Sequence, residues 1–301
     1  MSDVAQIESK NRSLWGDVWS QYKSHKGALL GTAVFVFILL AVGIGPIIYD
    51  MDPTFANIRE RNQGPSWGHL LGTDQLGRDT LAQMLHGGRV SILVGVVAML
   101  ISLFVGTFIG VLAGYFRRLD GILMRITDLF LALPLLPLLL VVIMLFRDTL
   151  RKQFGPETGI FILIVFIIGL TSWMQTARIV RGDVLALKER EFVLAARSIG
   201  TPNARLILRH VLPNVLSPIM VSATLGIANA IITESALSFL GLGFPSDFPT
   251  WGRLLYDGQQ YISQHPERVI WPGLAISLTV LSVNFVGDGL RDALDPRIRG
   301  R

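Results

Sequence analysis

The chain has 301 residues, of which 51% are hydrophobic and only 16% are charged, and its mean hydropathy is +0.52. Soluble domains carry about 25% charged residues, so this composition excludes an ordinary soluble domain and indicates an integral membrane protein. The net charge of +5 comes from lysines and arginines in loops that flank apolar runs, which is typical of membrane orientation and argues against nucleic-acid binding. The sequence contains no cysteine, which excludes disulfides and thiolate chemistry.

Six apolar runs are each long enough to cross a bilayer as a helix. We therefore predict an all-α membrane protein with six spans, and the first span is expected to stay as an uncleaved anchor because no small-residue cleavage site follows it. With the N-terminus inside, about twice as many lysines and arginines lie inside as outside, so both termini are predicted to be cytoplasmic. The predicted spans are 28–48, 90–116, 122–146, 159–178, 215–238 and 269–288.

The loop of about 40 residues between the first two spans contains the run GTDQLGRD at residues 72–79. Its glycines, and Gly87-Gly88 further on, are interpreted as turn positions. Asp74, Arg78 and Asp79 predict a local cluster of salt bridges. A metal loop is disfavoured, because the oxygen donors are few and their spacing does not match an EF-hand.

The second span carries small residues on one helical face. Such residues let two helix backbones approach closely, so we predict a packing seam, with helix sliding during gating as the alternative. The third span holds Arg125 and Asp128, for which we predict an ion pair within the helix, with a gate or proton relay as the alternative. Pro134 and Pro137 predict a kink. The small residues of the second span are Gly95, Ala98, Ser102, Gly106, Gly110 and Gly114.

The segment from 191 to 214 is polar and basic although it lies between two apolar runs. It predicts a helix, a turn and a second helix, with Gly200 at positive φ in the turn and Thr201 capping the second helix ahead of Pro202. We interpret this elbow as a surface presented to a partner. The predicted apolar faces are Phe192, Ala195, Ala196 and Ile199 on the first helix, and Ala204, Ile207, Leu208 and Val211 on the second.

The elbow carries a resemblance to a known family. Its pattern Ala-Ala-Arg-x-x-Gly at 195–200, followed by His-x-Leu-Pro at 210–213, resembles the EAA loop of permease subunits of bacterial ABC importers. The generic motif has glutamate directly before the alanines, where this chain has Leu194, so Glu191 is the acid to test. The resemblance implies a coupling helix that docks in a groove on a separate ATPase. The implied coupling residues are Glu191, Ala195, Ala196, Arg197, Gly200, His210, Leu212 and Pro213.

Further segments resemble the dipeptide, oligopeptide and nickel branch of the same family. These are the GTDQLGRD run, the runs LSFLGLG at 237–243 and PTWG at 249–252, and the C-terminal GDGLRDALDP at 287–296. Glu234 is an acid near the outer end of the fifth span, where acids are rare. Trp251, with Phe248, either faces a partner, as this loop does in the family, or forms an interfacial aromatic anchor. The candidate external partner or gate residues are Asp74, Arg78, Asp79, Glu234 and Trp251.

The resemblance implies a type I ABC importer permease in the bacterial plasma (inner) membrane, forming half of a path for di- or oligopeptides, or for nickel chelates or glutathione. Implied partners are a second homologous permease in a heterodimer, two P-loop ATPases that hold ATP and magnesium, an extracytoplasmic substrate-binding protein and membrane lipid. The implied divisions are a cytoplasmic tail at 1–27, the first span and external loop at 28–89, the permease core at 90–290 and a cytoplasmic tail at 291–301.

Motifs for chemistry on this chain itself are not found. The sequence contains no GxxxxGK[ST], HExxH or GxSxG, and its five histidines are too far apart to form a helical metal pair. We therefore expect no catalytic residue, no metal and no cofactor here, with ATP hydrolysis on other chains. A secondary transporter or channel is disfavoured because no inverted repeat or mid-membrane acid is evident. An intramembrane enzyme is disfavoured because Asp128 and Glu234 are predicted near opposite membrane faces.

Overall fold

The computed structural model describes residues 14–294, and the extended regular elements in that range are all helical. Residues 1–13 and 295–301, with the last two residues of the C-terminal motif and part of each tail, lie outside the described range. The α-helices are α1 (Leu14–Ser24), α2 (Lys26–Ile48), α3 (Thr80–Tyr115), α4 (Arg117–Ala132), α5 (Leu135–Phe154), α6 (Pro156–Leu187), α7 (Glu191–Ser198), α8 (Asn203–Leu206), α9 (Leu216–Phe239), α10 (Trp251–Gln259) and α11 (Glu267–Leu294).

Among the described residues, five helices are individually long and apolar enough to cross a membrane, namely α2, α3, α6, α9 and α11. A sixth apolar segment is formed by α4 and α5 together. The predicted all-α class with six apolar segments is therefore confirmed. The first and fifth predicted spans match α2 and α9 closely, whereas α11 extends six residues past the predicted end to Leu294.

The prediction of one continuous third span at 122–146 is wrong. The chain instead forms α4 and α5, which are bent by 86° relative to each other. Leu133 has an extended ψ of 136° because the ring of Pro134 disfavours the helical conformation of the residue before it. Pro137 falls in the first turn of α5, where its missing N–H is tolerated. The predicted kink is thus a complete break.

The second and fourth spans are longer than predicted. α3 begins at Thr80, where the Asp79 carboxylate accepts a 2.7 Å hydrogen bond from the backbone N–H of Ala82. Gly87 and Gly88 therefore lie inside α3 and not in turns, and the preceding loop is only residues 49–79. α6 continues to Leu187, so the basic residues 178–187 lie on a helix and not in a loop.

The predicted ion pair between Arg125 and Asp128 is also wrong. The Asp128 carboxylate binds the guanidinium of Arg178 on α6. About two turns earlier on α4, the Asp120 carboxylate binds the guanidinium of Arg181 of α6 in the same way. These two pairs attach α4 to α6, so the charges of the third segment serve contacts between helices.

Three glycines of α3 lie directly against α6. A Cβ atom on Gly106 or Gly110 would lie 2.7 or 2.6 Å from a backbone carbonyl oxygen of α6, and one on Gly114 would lie 2.7 Å from the Cβ of Val184. Only hydrogen fits at these distances, so the two backbones approach as closely as small residues allow. The stripe continues at Gly95, which faces Ile231 of α9. α3 and α6 therefore form one tightly packed unit.

The helix α1 was not predicted from the sequence. Its Tyr22 is buried against Gly289 of α11 and forms a 2.5 Å hydrogen bond with Thr32 of α2. α11 in turn packs between α2 and α9, with close approaches at Gly31 and Gly287. The chain before the first span is thus folded onto the last span.

Candidate functional site

The elbow, residues 191–214, joins α6 to α9 and begins with α7. α7 ends in a Schellman arrangement, because the N–H of Gly200 donates to the carbonyl of Arg197 at 3.0 Å and that of Thr201 to Ala196 at 3.2 Å. Gly200 has φ +81°, as predicted, and nothing lies within 4 Å of where its Cβ would be. The turn therefore requires glycine for its backbone conformation and not for lack of space.

The second half of the elbow differs from the prediction. Thr201 does not cap the second helix, since Pro202 is the N-cap residue and no side chain bonds to the helix start. The regular helix α8 is only four residues long and continues as a π turn over Ile207–Val211. Pro213 lies in a following 3-10 turn, Leu212–Asn214, so the helical path does end there as predicted.

The structure buries only part of the predicted apolar faces of the elbow. The buried residues that hold its two halves together are Val193, Ala196 and Leu206. Ile199 is 83% exposed and Leu208 is 65% exposed, although both belong to the predicted apolar faces. The exposed large apolar side chains of the elbow are Phe192, Leu194, Ile199 and Leu208.

The elbow is fastened to the end of α3. The Tyr115 hydroxyl donates to the side-chain oxygen of Asn203 at 2.8 Å, and just before the elbow, at the end of α6, the Lys188 ammonium donates to the carbonyl of Gly114 at 3.0 Å. Beneath these bonds a cluster of aliphatic side chains joins α3, α6, the elbow and α9. A displacement of the elbow is therefore passed to three spans at once. The buried members of the cluster are Val111, Val180, Val184, Val211, Val215 and Ile219.

The predicted coupling residues lie on several sides of the elbow. Glu191, Ala195, Arg197, Gly200 and Pro213 are exposed, His210 and Leu212 are half-buried, and Ala196 is buried. Within the described part of the chain, none of the elbow's charged side chains forms an ion pair. These side chains are Glu191, Arg197, Arg205 and Arg209.

The opposite end of the bundle, here called the loop end, holds residues 49–79 and 240–266. The predicted salt bridge forms there between Asp74 and Arg78, with Nε to carboxylate oxygen at 2.6 Å, and both residues are buried. The same carboxylate also accepts from the amide of Gln83 at 3.2 Å. Arg78 reaches across to donate to the carbonyl of Ser246 at 2.9 Å. One ion pair thus joins two loops that are distant in sequence.

The Asp79 carboxylate has other partners besides the backbone N–H of Ala82 at the start of α3. The carboxylate accepts from the Tyr49 hydroxyl at 2.8 Å and lies 2.8 Å from Nδ1 of His69. Burial, and then the hydrogen bond to Asp79, raise the pKa of Tyr49 from 10.0 to about 12. Arg268 of α11 closes the same network by donating to the carbonyl of Thr73 at 2.7 Å. The loop between α2 and α3 is therefore bonded to α11.

Glu234 and Trp251 belong to the interior of this end. Glu234 is completely buried and accepts hydrogen bonds from Ser91 at 3.2 Å and Ser238 at 2.8 Å. Trp251 is 2% exposed and its indole donates to the carbonyl of Met84 at 3.0 Å. The alternative of an interfacial aromatic anchor at Trp251 is therefore wrong. The five candidate external residues are brought into one end of the molecule, but as interior groups and not as a free surface.

No group of three His, Cys, Asp or Glu side chains among residues 14–294 is placed to hold a metal ion. A cavity of about 340 Å³ lies where the α4–α5 bend faces α3, α6 and α9. Its described lining contains polar side chains but no ionisable one, and it includes the carboxamides of Gln175 and Asn229. The sequence analysis missed both residues. The available signal was an uncharged amide inside each of two long apolar runs.

Comparisons with known proteins agree with this architecture. A family model described as "Binding-protein-dependent transport system inner membrane component" matches residues 102–300, and one described as "N-terminal TM domain of oligopeptide transport permease C" matches residues 13–65.

Curated relatives match nearly the whole chain. The "Oligopeptide transport system permease protein OppC" of Bacillus subtilis is 38% identical over 299 residues, 99% of this chain and 94% of the relative. The "Dipeptide transport system permease protein DppC" of Alkalihalophilus pseudofirmus is 39% identical over 289 residues, 95% and 91% of the two chains. The OppC protein of Haemophilus influenzae is 36% identical over 299 residues, 98% and 93% of the two chains.

Proposed function

The chain belongs to the family of binding-protein-dependent inner membrane components, the permease subunits of ABC importers, and from that premise we propose that it imports peptides. It is a multi-pass membrane subunit that transports without catalysing a reaction itself. Di- or oligopeptides are the proposed substrates because the similar relatives are named as oligopeptide and dipeptide permeases. Nickel chelates, the alternative from the sequence, are not supported by those names.

The single observation that carries the coupling role is the divided surface of the elbow. Its buried side fastens it to α3, α6 and α9, while its other side exposes apolar side chains such as Ile199 and Leu208, together with Glu191 and Arg197, which form no ion pair with the described residues. An exposed apolar patch rimmed by charge is typical of a protein–protein interface. We propose that this side docks on a cytoplasmic ATPase subunit, with the eight motif residues of the elbow as the coupling set.

The proposed mechanism is mechanical. When two ATPases close on ATP, the docked elbow moves, and the contacts of Tyr115 and Lys188 pass that movement to the end of α3. Since α3 and α6 approach too closely at their glycines to deform separately, they move as a unit. The path then changes from inward-open to outward-open. ATP and magnesium belong to the partner chains.

At the loop end, the buried network of Asp74, Arg78, Asp79, Glu234 and Trp251 is proposed to give a rigid outer platform. A substrate-binding protein outside the membrane would rest on that platform, so these five residues act by shaping it. In line with the distribution of lysine and arginine, we propose that the elbow and both termini are cytoplasmic.

The cavity at the α4–α5 bend is proposed as this subunit's half of the path, completed by a second, homologous permease in a heterodimer. Residues 90–290, together with the start of α3, form the proposed permease core, and residues 28–89 add α2 and the outer loop. The terminal tails at 1–27 and 291–301 are proposed to be cytoplasmic.

Gentle extraction of the tagged chain from its host, followed by mass spectrometry, tests the assembly. We expect a second permease, one or two P-loop ATPases and a binding protein. The complex, reconstituted in liposomes, should then accumulate trialanine only when ATP is present. A chain that purifies alone and transports without ATP would overturn the proposal.

A further inference from the structure

The cavity at the α4–α5 bend contains two carboxamides that have no hydrogen-bond partner among the described residues. Most of its hydroxyls are already bonded, since Thr171 and Thr233 donate to carbonyls of their own helices and Thr176 pairs with Ser222 at 2.9 Å. The side-chain amides of Gln175 and Asn229, which are exposed, form no hydrogen bond within the described residues.

Both amides lie well inside the membrane-spanning length of their helices. At 1.5 Å per residue, Gln175 lies about 18 Å from one end of α6 and about 28 Å from the other, and Asn229 lies about 15 and 20 Å from the ends of α9. A polar group at such depth is unfavourable against lipid, so it faces protein, water or a ligand. Because both line the same cavity, a ligand site is favoured.

We propose that Gln175 and Asn229 contact the backbone of the transported peptide. This inference rests on the proposed peptide import and names the groups that recognise its substrate. A carboxamide offers one acceptor and two donors, which complements the N–H and C=O of a peptide unit. The described lining has no ionisable side chain, so no charge on the wall selects peptides by their side chains. The site therefore recognises the backbone N–H and C=O groups that all peptides share.

The absence of cysteine from the sequence makes the site directly testable. Gln175→Cys and Asn229→Cys each place a single thiol on the cavity wall of this chain, in a complex whose other subunits carry no reactive thiol. The probe is bromoacetyl-trialanine. Its bromine-bearing methylene carbon forms a thioether with the cysteine thiolate as bromide leaves. We expect both thiols to be alkylated when ATP and the binding protein are supplied, and not when either is withheld.

Leu170→Cys on α6 and Ile232→Cys on α9 are the matched controls. Both side chains are exposed on the same two helices but neither lines the cavity. We expect the peptide probe to leave them unmodified. Equal modification at all four positions, or no modification at positions 175 and 229 in a complex that transports trialanine, would overturn the inference.

Transport provides an independent readout. Gln175→Leu and Asn229→Leu keep the size of the side chain and remove its polar atoms, so each is expected to slow trialanine uptake about tenfold, the effect of one lost hydrogen bond. The concentration of loaded binding protein that gives half-maximal uptake should not change. Thr279→Val on α11, which lies outside the cavity and whose hydroxyl is already bonded to its own helix, should stay within about twofold.

The two proposals fail in different ways. If the unaltered complex shows no ATP-dependent uptake of trialanine, the proposed function is wrong. If that complex transports trialanine and both leucine variants transport it equally well, the proposed function stands and the role of the two amides is wrong.

Discussion

The loop end and the elbow use charged residues in opposite ways. At the loop end, Asp74, Arg78 and Arg268 are buried and bonded across segments that are far apart in sequence. At the elbow, Glu191 and Arg197 are exposed and make no ion pair with the described residues. Two individual side chains show the same contrast, since Trp251 is buried at the loop end while Ile199 is 83% exposed at the elbow.

This difference separates a region that maintains its own geometry from a region prepared for a partner. A hydrogen-bonded buried polar network is rigid, and removing one member leaves its partners unpaired in a low dielectric. An exposed apolar and charged surface instead contributes little to the stability of the isolated chain. Mutations at the loop end should therefore affect folding, and mutations at the elbow should affect assembly and coupling.

The largest expected effect is that of Asp74→Ala. It leaves the Arg78 guanidinium and the Gln83 amide buried without their shared acceptor, which costs about 3–5 kcal/mol of folding free energy. The measurement is thermal unfolding of the purified protein in detergent. Asp52→Ala is the control on the same loop, because Asp52 is exposed and bonds only locally, at Thr54, so a change within about 0.5 kcal/mol is expected. Similar small losses for both variants would contradict a rigid loop end.

Gly200→Val tests the elbow turn, and Gly155→Val is its control because it introduces a comparable backbone strain at another turn. Gly200 and Gly155 have φ of +81° and +87°, and neither has an atom within 4 Å of its would-be Cβ, so valine strains both backbones by about 1–3 kcal/mol. We expect Gly200→Val to uncouple ATP hydrolysis from transport while the protein remains in the membrane. Gly155→Val, between α5 and α6 at the loop end, should leave coupling intact. The assay compares ATPase and uptake rates, and equal uncoupling in both variants would remove the special role of the elbow.

Ile199→Ala tests the exposed apolar surface of the elbow. Because this side chain is 83% exposed, its truncation should not change the unfolding temperature, but it should weaken ATPase docking by about 1 kcal/mol. Trp67→Ala is the control at the loop end, where the indole is 99% exposed. Affinity is measured by titrating purified ATPase against the detergent-solubilised permease. If docking is equally strong in both variants, Ile199 lies outside the interface.

The smallest expected effect concerns alkaline pH. The pKa of Tyr49 is raised from 10.0 to about 12, so its neutral form is favoured in the folded protein. This contribution to stability is complete below pH 10 and is lost as pH rises through about 12. Unfolding temperatures recorded over that interval should fall further for the unaltered protein than for Tyr49→Phe. Equal falls in unfolding temperature for the two proteins would show that the pKa of Tyr49 is not raised in the folded protein.

Local patterns predicted much of this molecule. Apolar length located the membrane segments, and the elbow was placed at residues 191–214 because a polar helical pattern is anomalous between two apolar runs. Gly200 was assigned positive φ because a glycine after a helical repeat commonly ends a helix in that conformation. Asp74 and Arg78 were paired because they are close in sequence. Each of these features depends on a few neighbouring residues.

Predictions failed where a residue's partner is distant in sequence. Asp128 has an arginine three residues away, yet it binds Arg178, because the α4–α5 break brings α4 against α6. The elbow's apolar residues suggested a buried stripe, but Val193, Ala196 and Leu206 face inward and Ile199 does not. A short amphipathic helix has more than one apolar side, and only the surface it packs on selects between them.

The sequence by itself determined the class of protein, the number of apolar segments and the turn at Gly200, since hydrophobicity and backbone preference act over a few residues. Only the tertiary structure decided that Glu234 and Trp251 are interior, and that Gln175 and Asn229 share a cavity without internal partners. The physical reason is that burial and hydrogen bonding are properties of pairs of segments. The packing of α3, α6 and α9 brings those segments together, and no single stretch of sequence encodes that packing.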